Sequence, residues 1–245
     1  MNKQHWSIGG GIRSAISQLV EEGAVIVELG SGYGTRKLVE KYTVYSIEND
    51  EDWVDFCEES NYIHAPITRT ADGKEQWYDT SIIQANLPST YDLILVDGPP
   101  GKIGRGGLLT NFNLFRTDVP IIIDDTIRDE EAKIARELAY KLNRPLYTFW
   151  NFSIIAPDLL SKSQVATIQR EAIRVLEQEE QSYLEHFFSS PEPVRDFDRS
   201  EWHHRLTEYK SPNDKLDTIK SSWTWRIGRL ITFPVRMLIA PFKLR

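Results

Sequence analysis

Short apolar runs alternate with amphipathic stretches along the first 157 residues. "AVIVEL", "TVYSIE", "YDLILVD" and "VPIIID" are largely apolar at successive positions and carry an acid at or next to their last position. Such runs predict parallel strands buried on both faces, because a half-exposed strand would alternate apolar and polar residues instead. Between them, "TRKLVEKY", "DEDWVDFCEES" and "DEEAKIARELAYKLN" carry apolar residues at helical spacing. The alternation predicts βαβ units, hence an α/β fold with a parallel sheet and helices on both faces. "RPLYTFW" and "FSIIAP" follow too closely for an intervening helix and predict a hairpin at the sheet edge. Beyond Pro157 the strand signal ends. "SKSQVATIQREAIRVLEQEEQSYLEHFF" places Val165, Ile168, Ala172, Val175, Leu184 and Phe187 at helical spacing. Three segments are therefore expected: a sheet domain over 1–158, a helical extension over 159–210 and a distinct tail over 211–245.

Composition changes this picture in two ways. A chain of 245 residues with net charge −7 is an ordinary globular size and a poor non-specific binder of nucleic acid. The charge is uneven: residues 221–245 hold five of the 29 cations and no acid, leaving 24 cations against 36 acids elsewhere. With Trp223 and Trp225 beside Arg226, Arg229, Arg236, Lys243 and Arg245, this tail reads as an interfacial segment on an anionic membrane surface; packing on protein is the alternative. Its apolar run is too short and too charged to span a bilayer. The single cysteine, Cys57, allows no internal disulfide, and the first twenty residues lack the apolar core of a signal peptide. A cytoplasmic protein peripherally attached to the inner face of the membrane is expected, with a homo-oligomer left open.

The chemistry concentrates at strand ends. In "VIVELGSGYGTRKLVEKYTVYSIENDEDW", the first strand ends at Leu29 and is followed by Gly30, Gly32 and Gly34. Glycines there let the backbone turn sharply and approach a ligand closely. A helix from Thr35 would point its positive end at the same place. Glu48 ends the second strand, 20 residues after Glu28, where a carboxylate can accept both hydroxyls of a ribose. The spacing is G-x-G-x-G, not the G-x-G-x-x-G of dinucleotide folds, and Glu28 directly before the turn would repel a pyrophosphate but suits an ammonium. "GPPGKI" lacks the glycine–lysine spacing of a kinase-type phosphate loop.

"ELGSGYG" with "SIEND" resembles the first two motifs of class I S-adenosylmethionine-dependent methyltransferases, and the resemblance covers about Gly23 to Pro157. It implies a Rossmann-like seven-stranded methyltransferase sheet with S-adenosylmethionine as cofactor. Glu28, Gly30, Ser31, Gly32 and Tyr33 would line its methionine end, Glu48 and Asn49 its ribose, and His64 its adenine; a structural role is the other reading of His64. "YDLILVDGPPG" is similar to the fourth strand of that family, with Asp97 near the transferred methyl as general base or metal ligand. "VPIIIDDT" brings Asp124 and Asp125 to the neighbouring strand end. Strands lie ~4.8 Å apart, so Asp97 and one of the pair could share Mg2+ or Mn2+, as in catechol-type and macrolide-sugar O-methyltransferases. Both aspartates can ligate only if the strand breaks between them. "IENDEDW…VDGP" also looks like plant glucuronoxylan O-methyltransferases, and bacterial enzymes of surface-polysaccharide assembly often end in similar tails. The resemblance implies an O-methyltransferase acting on a sugar hydroxyl of a bacterial surface glycan or its precursor. A non-sugar small-molecule acceptor, an oxidoreductase and a non-catalytic membrane adaptor with a vestigial pocket are the alternatives. Lys102 and Arg105 in "GPPGKIGRGG" are read either as holders of an acidic sugar or phosphate or as a solvated loop. Trp6–Arg13 is read as a lid over the cofactor or as the start of a helix.

Overall fold

The computed structural model describes residues 8–69, 76–149 and 151–174. The chain divides into two compact units, Met1–Glu180 and Gln181–Arg245, and every described residue falls in the first. Trp6, the part of the helical extension beyond 174 and the whole basic, aromatic tail lie outside the described residues.

Nine strands form: β1 (Val25–Leu29), β2 (Thr43–Glu48), β3 (Asn61–His64), β4 (Ile67–Arg69), β5 (Gln76–Tyr78), β6 (Leu93–Val96), β7 (Ile121–Ile123), β8 (Leu146–Thr148) and β9 (Ser153–Ile155). Seven of them make one sheet in the order β3-β2-β1-β6-β7-β9-β8. All pairings from β3 across to β7 are parallel, and β9 runs antiparallel to both β7 and β8. The expected hairpin is therefore present, with β9 inserted between β7 and the edge strand β8. This is the Rossmann-like seven-stranded sheet that the sequence predicts.

Helices α1 (Gly10–Leu19), α2 (Thr35–Leu38), α3 (Thr80–Asn86), α4 (Leu108–Asn111), α5 (Asp129–Leu142) and α6 (residues 162–174) cover the sheet. The both-face apolar strands feed two cores. Val27, Leu29, Ile94, Val96, Ile121 and Ile123 pack with Ile83 of α3 and Ile134 and Leu138 of α5. Ile26, Leu93, Leu95 and Ile122 face Ile12 and Ile16 of α1, Leu38 of α2 and Ile168 of α6. The first part of the helical extension thus packs within this unit, against α1. α5 follows its sequence pattern closely, with three acids in its first turn and Asn143 closing it in the left-handed conformation (φ 51°). Among the described residues, no helix is long and apolar enough to cross a membrane.

Two expected helices are corrected. α2 is one turn long, because only eight residues separate Gly34 from β2, and one turn offers no helix dipole to a ligand. "DEDWVDFCEES" is a succession of turns. The Asp50 side chain accepts from the Asp52 N–H, and Asp55 adopts φ 60°, so local aspartate bonding wins over helical periodicity. A short β4–β5 hairpin, unforeseen in the sequence, forms a second sheet.

The chain runs from β1 outward to β3 and then returns to β6 on the other side of β1. Ligands of such sheets bind where the order reverses, at the strands' carboxyl ends. Here that point is closed by two glycines in contact: Gly30 has φ +87°, and a Cβ on it would lie 2.9 Å from the Gly98 nitrogen. Gly104 shares the same φ but would have nothing within 4 Å of its Cβ. Gly30→Ala should therefore lose about 2–4 kcal/mol in urea unfolding and Gly104→Ala only about 1, since only the former adds a backbone clash to left-handed strain. Equal losses would show that the Gly30–Gly98 approach is dispensable.

Candidate active site

The carboxyl edge gathers the acids expected there: Glu28 in β1, Glu48 ending β2, Asp97 after β6, and Asp124 and Asp125 after β7. His64 ends β3 in register with Glu48. How each acid is neutralised differs, and that decides what each can do.

Glu28 is buried and accepts hydrogen bonds from the Thr35 hydroxyl at 2.8 Å and the Ser46 hydroxyl at 2.9 Å. The Thr35 hydroxyl in turn accepts from the Gly32 N–H at 3.0 Å, so Glu28 braces the glycine turn from below. Burial pushes its pKa up to about 8, against the two hydroxyl bonds that favour the carboxylate; Asp97 and Glu48 add repulsion. Glu28 is thus an internal brace of the glycine turn in this structure.

Glu48 has all its acceptor capacity in use. One oxygen takes the Ser31 N–H (2.8 Å) and hydroxyl (3.0 Å), and the other takes the N–H groups of Asn49 (2.7 Å) and Asp50 (2.8 Å). A carboxylate offers about four lone-pair positions, so a ribose at Glu48 has to share or replace the Ser31 hydroxyl. Beside it, the Asn49 side-chain oxygen is buried without a partner among the described residues, as is the Tyr78 hydroxyl. The Tyr78 hydroxyl would lie 2.4 Å from a Cβ on Gly98, which places it against the β6 turn. Buried polar atoms ordinarily find a partner, and these two have none among the described residues. Tyr33 lies edge-on to Trp53 and Phe56, with the Arg36 guanidinium 4.1 Å over the Phe56 ring. Ile8 packs over the turn, since a Cβ on Gly34 would meet its side chain at 2.5 Å, and helix α1 begins in the glycines two residues on.

On the other side of the switch point, the strand does break between the two aspartates: β7 ends at Ile123 and Asp125 adopts φ +61°. Asp124 turns toward its own neighbour's N–H (2.6 Å) and the Asn151 amide (3.2 Å). Asp125 turns toward Arg105 at 3.0 Å and Arg128 at 2.9 Å. Arg105 also reaches Asp97 at 3.2 Å and donates to the backbone carbonyls of Asp97 and Asp124, the latter at 2.7 Å. With its side chain 2% exposed, it belongs to neither a solvated loop nor a surface anion site. The divalent ion expected to be shared by Asp97 and one of Asp124 and Asp125 would meet this guanidinium between Asp97 and Asp125, and among the described residues no three His, Cys, Asp or Glu side chains are placed to hold a metal. The residues do not fit that ion.

Asp97 keeps about a third of its side chain exposed, at 35%. Loss of solvent raises its pKa, opposed by Arg105 and reinforced by Asp125. Asp124 is raised further, by burial and then by the charges of Asp97 and Asp125.

No family model and no curated protein matches the chain. Solved structures similar to it include a methyltransferase-like protein from Silicibacter pomeroyi, 18% identical over 66% of this chain and 92% of that one, with TM-score 0.40. Aeropyrum pernix fibrillarin with natively bound S-adenosyl-L-methionine is 12% identical over 59% of this chain and 72% of that one, TM-score 0.40. The MycE methyltransferase from the mycinamycin biosynthetic pathway, in complex with Mg and SAH, is 13% identical over 55% of this chain, TM-score 0.37. The chain spans 41% of the MycE chain's length. At such identities and TM-scores the fold and the chemistry rest on this chain's own topology and residues.

The burial of Glu28 has a measurable consequence. A carboxyl whose folded pKa is raised binds more protons folded than unfolded, so its stability contribution is complete below its ordinary 4.5 and is lost as pH rises toward about 8. Glu28→Gln keeps an oxygen for Thr35 and Ser46 but cannot ionise. Between pH 5 and 8.5 the wild-type melting temperature should fall more steeply than that of Glu28→Gln. Parallel curves would mean that Glu28 is solvated.

Proposed function

We propose that this protein is an S-adenosylmethionine-dependent O-methyltransferase whose acceptor is a sugar hydroxyl of a bacterial surface glycan or its precursor. The observation that carries the cofactor assignment is the set of groups at the switch point. The glycine turn meets the β2-end carboxylate of Glu48 through Ser31, in a seven-stranded sheet with a reversed strand beside its edge, and the Asn49 oxygen and Tyr78 hydroxyl are buried without partners among the described residues. The cofactor, when bound, supplies a methyl group on a sulfonium. Glu48, with Asn49 beside it, would take the ribose hydroxyls, and the Ser31 hydroxyl would yield its place. His64 lies one strand beyond, on the adenine side. The acceptor class rests on the sequence resemblance alone.

Asp97 is the acid suited to the chemistry. Its carboxylate is the most exposed of those at the β6 and β7 ends, and its raised pKa makes it a stronger proton acceptor than an ordinary aspartate. It would take the proton that the acceptor hydroxyl releases as its oxygen bonds the methyl carbon. Asp124, pushed toward its neutral form, would stay a structural donor or acceptor.

The test is transfer of labelled methyl from S-adenosylmethionine to cell-envelope glycan fractions by the full chain. Wild type should label a saccharide, and Asp97→Asn should lose turnover by about 10²–10⁴-fold, the range for a missing general base. Labelling of a non-sugar small molecule alone would transfer the proposal to the other acceptor class. Undiminished turnover in Asp97→Asn would remove Asp97 from the chemistry.

A further inference from the structure

We propose that Arg105 is the resident cation of this acidic edge and occupies the position a divalent ion would need, so that the site takes no metal between Asp97 and Asp125. One guanidinium nitrogen lies 3.2 Å from Asp97 and 3.0 Å from Asp125, bridging the two carboxylates from strand ends that a shared ion would bridge. A second nitrogen donates to the Asp124 carbonyl at 2.7 Å, and the third, Nε, is buried without a partner among the described residues. A divalent ion ligates oxygens at about 2.0–2.6 Å, a spacing that leaves no room for a guanidinium between the same two atoms.

Two guanidinium groups already serve these carboxylates: Arg105 contacts Asp97 and Asp125, and Arg128 contacts Asp125 at 2.9 Å and Glu131 at 3.8 Å. A guanidinium stays protonated at any accessible pH, so this cation cannot be discharged to make way for another.

The loop carrying Arg105 is built to deliver it there. At one end Gly98 is wedged between Gly30 and the Tyr78 hydroxyl; at the other, a Cβ on Gly107 would lie 2.7 Å from the Trp77 indole. Between them, the Pro100 carbonyl accepts from the Ile103 and Gly104 N–H groups, and Gly104 turns with φ +87°. Removing Arg105 alone should therefore leave the Asp97 and Asp125 carboxylates without their shared cation.

The experiment titrates Mn2+ into the full-length wild type, Arg105→Ala, and Arg105→Ala combined with Asp125→Asn, reading free Mn2+ by electron paramagnetic resonance. Wild type should take up no Mn2+ that Asp97→Asn abolishes. Arg105→Ala should gain about one Mn2+ per chain and melt higher with Mn2+ than without, and the second substitution should erase both gains. One Mn2+ per wild-type chain at micromolar affinity, lost in Asp97→Asn, would overturn the proposal. Should Arg105→Ala not fold, the wild-type and Asp97→Asn titrations decide it alone. The Mn2+ readout does not depend on methyl transfer, so a wild type that methylates nothing would count against the proposed function and leave this result standing.

Discussion

The contact between Gly30 and Gly98 sets the geometry on which the rest of the candidate site depends. Parallel neighbours β1 and β6 leave the sheet side by side, and the turns that follow them can both stay close only if neither carries a side chain at the crossing point. The consequence on one side is the glycine turn that brings Ser31 to Glu48 and Gly32 to Thr35. On the other side the chain from Gly98 to Gly107 is launched back across the sheet edge, which carries Arg105 to the aspartates of β6 and β7. A side chain at either glycine would push the two halves of the site apart.

Within that frame, three distinct means neutralise the acids. Glu28 is held by hydroxyls and by partial return to its neutral form, Glu48 by backbone N–H groups and Ser31, and Asp97 and Asp125 by a guanidinium. The division follows from burial. A fully buried acid with only hydroxyl donors is held near neutrality, whereas acids beside a cation or several N–H groups can stay charged. Asp97, the more exposed of the two acids beside Arg105, is the one proposed to exchange a proton with a ligand.

Much of this arrangement was legible in the sequence, for identifiable reasons. Strands buried on both faces write themselves as uninterrupted apolar runs, and the acids that end them fall at the sheet's carboxyl edge by topology alone. Asp124 and Asp125 were readable as a pair for the same reason, and the break between them is the left-handed Asp125. Arg105 was not readable. Its partners lie 8 and 20 residues away, and only the three-dimensional course of the Gly98–Gly107 loop turns a surface-looking cation into a buried one. The Ser31–Glu48 bond was hidden likewise, because a strand-end acid says nothing about which donor reaches it first. The segment from Asp50 to Ser60 misled because its apolar spacing is helical, while its aspartates bond locally and turn the chain. The β4–β5 hairpin has strands of three residues each, too short to leave a periodic signal.

The central claim is that the switch point between β1 and β6 holds an adenosyl ligand through Glu48. Isothermal titration of S-adenosylhomocysteine into the folded full-length protein tests it most directly, run beside Glu48→Ala. The account predicts one saturable site per wild-type chain and an affinity at least about tenfold weaker in Glu48→Ala, since a lost hydrogen bond to a charged group is worth roughly 1.5–3 kcal/mol. No saturable binding to the wild type, or the same affinity in both proteins, would contradict it.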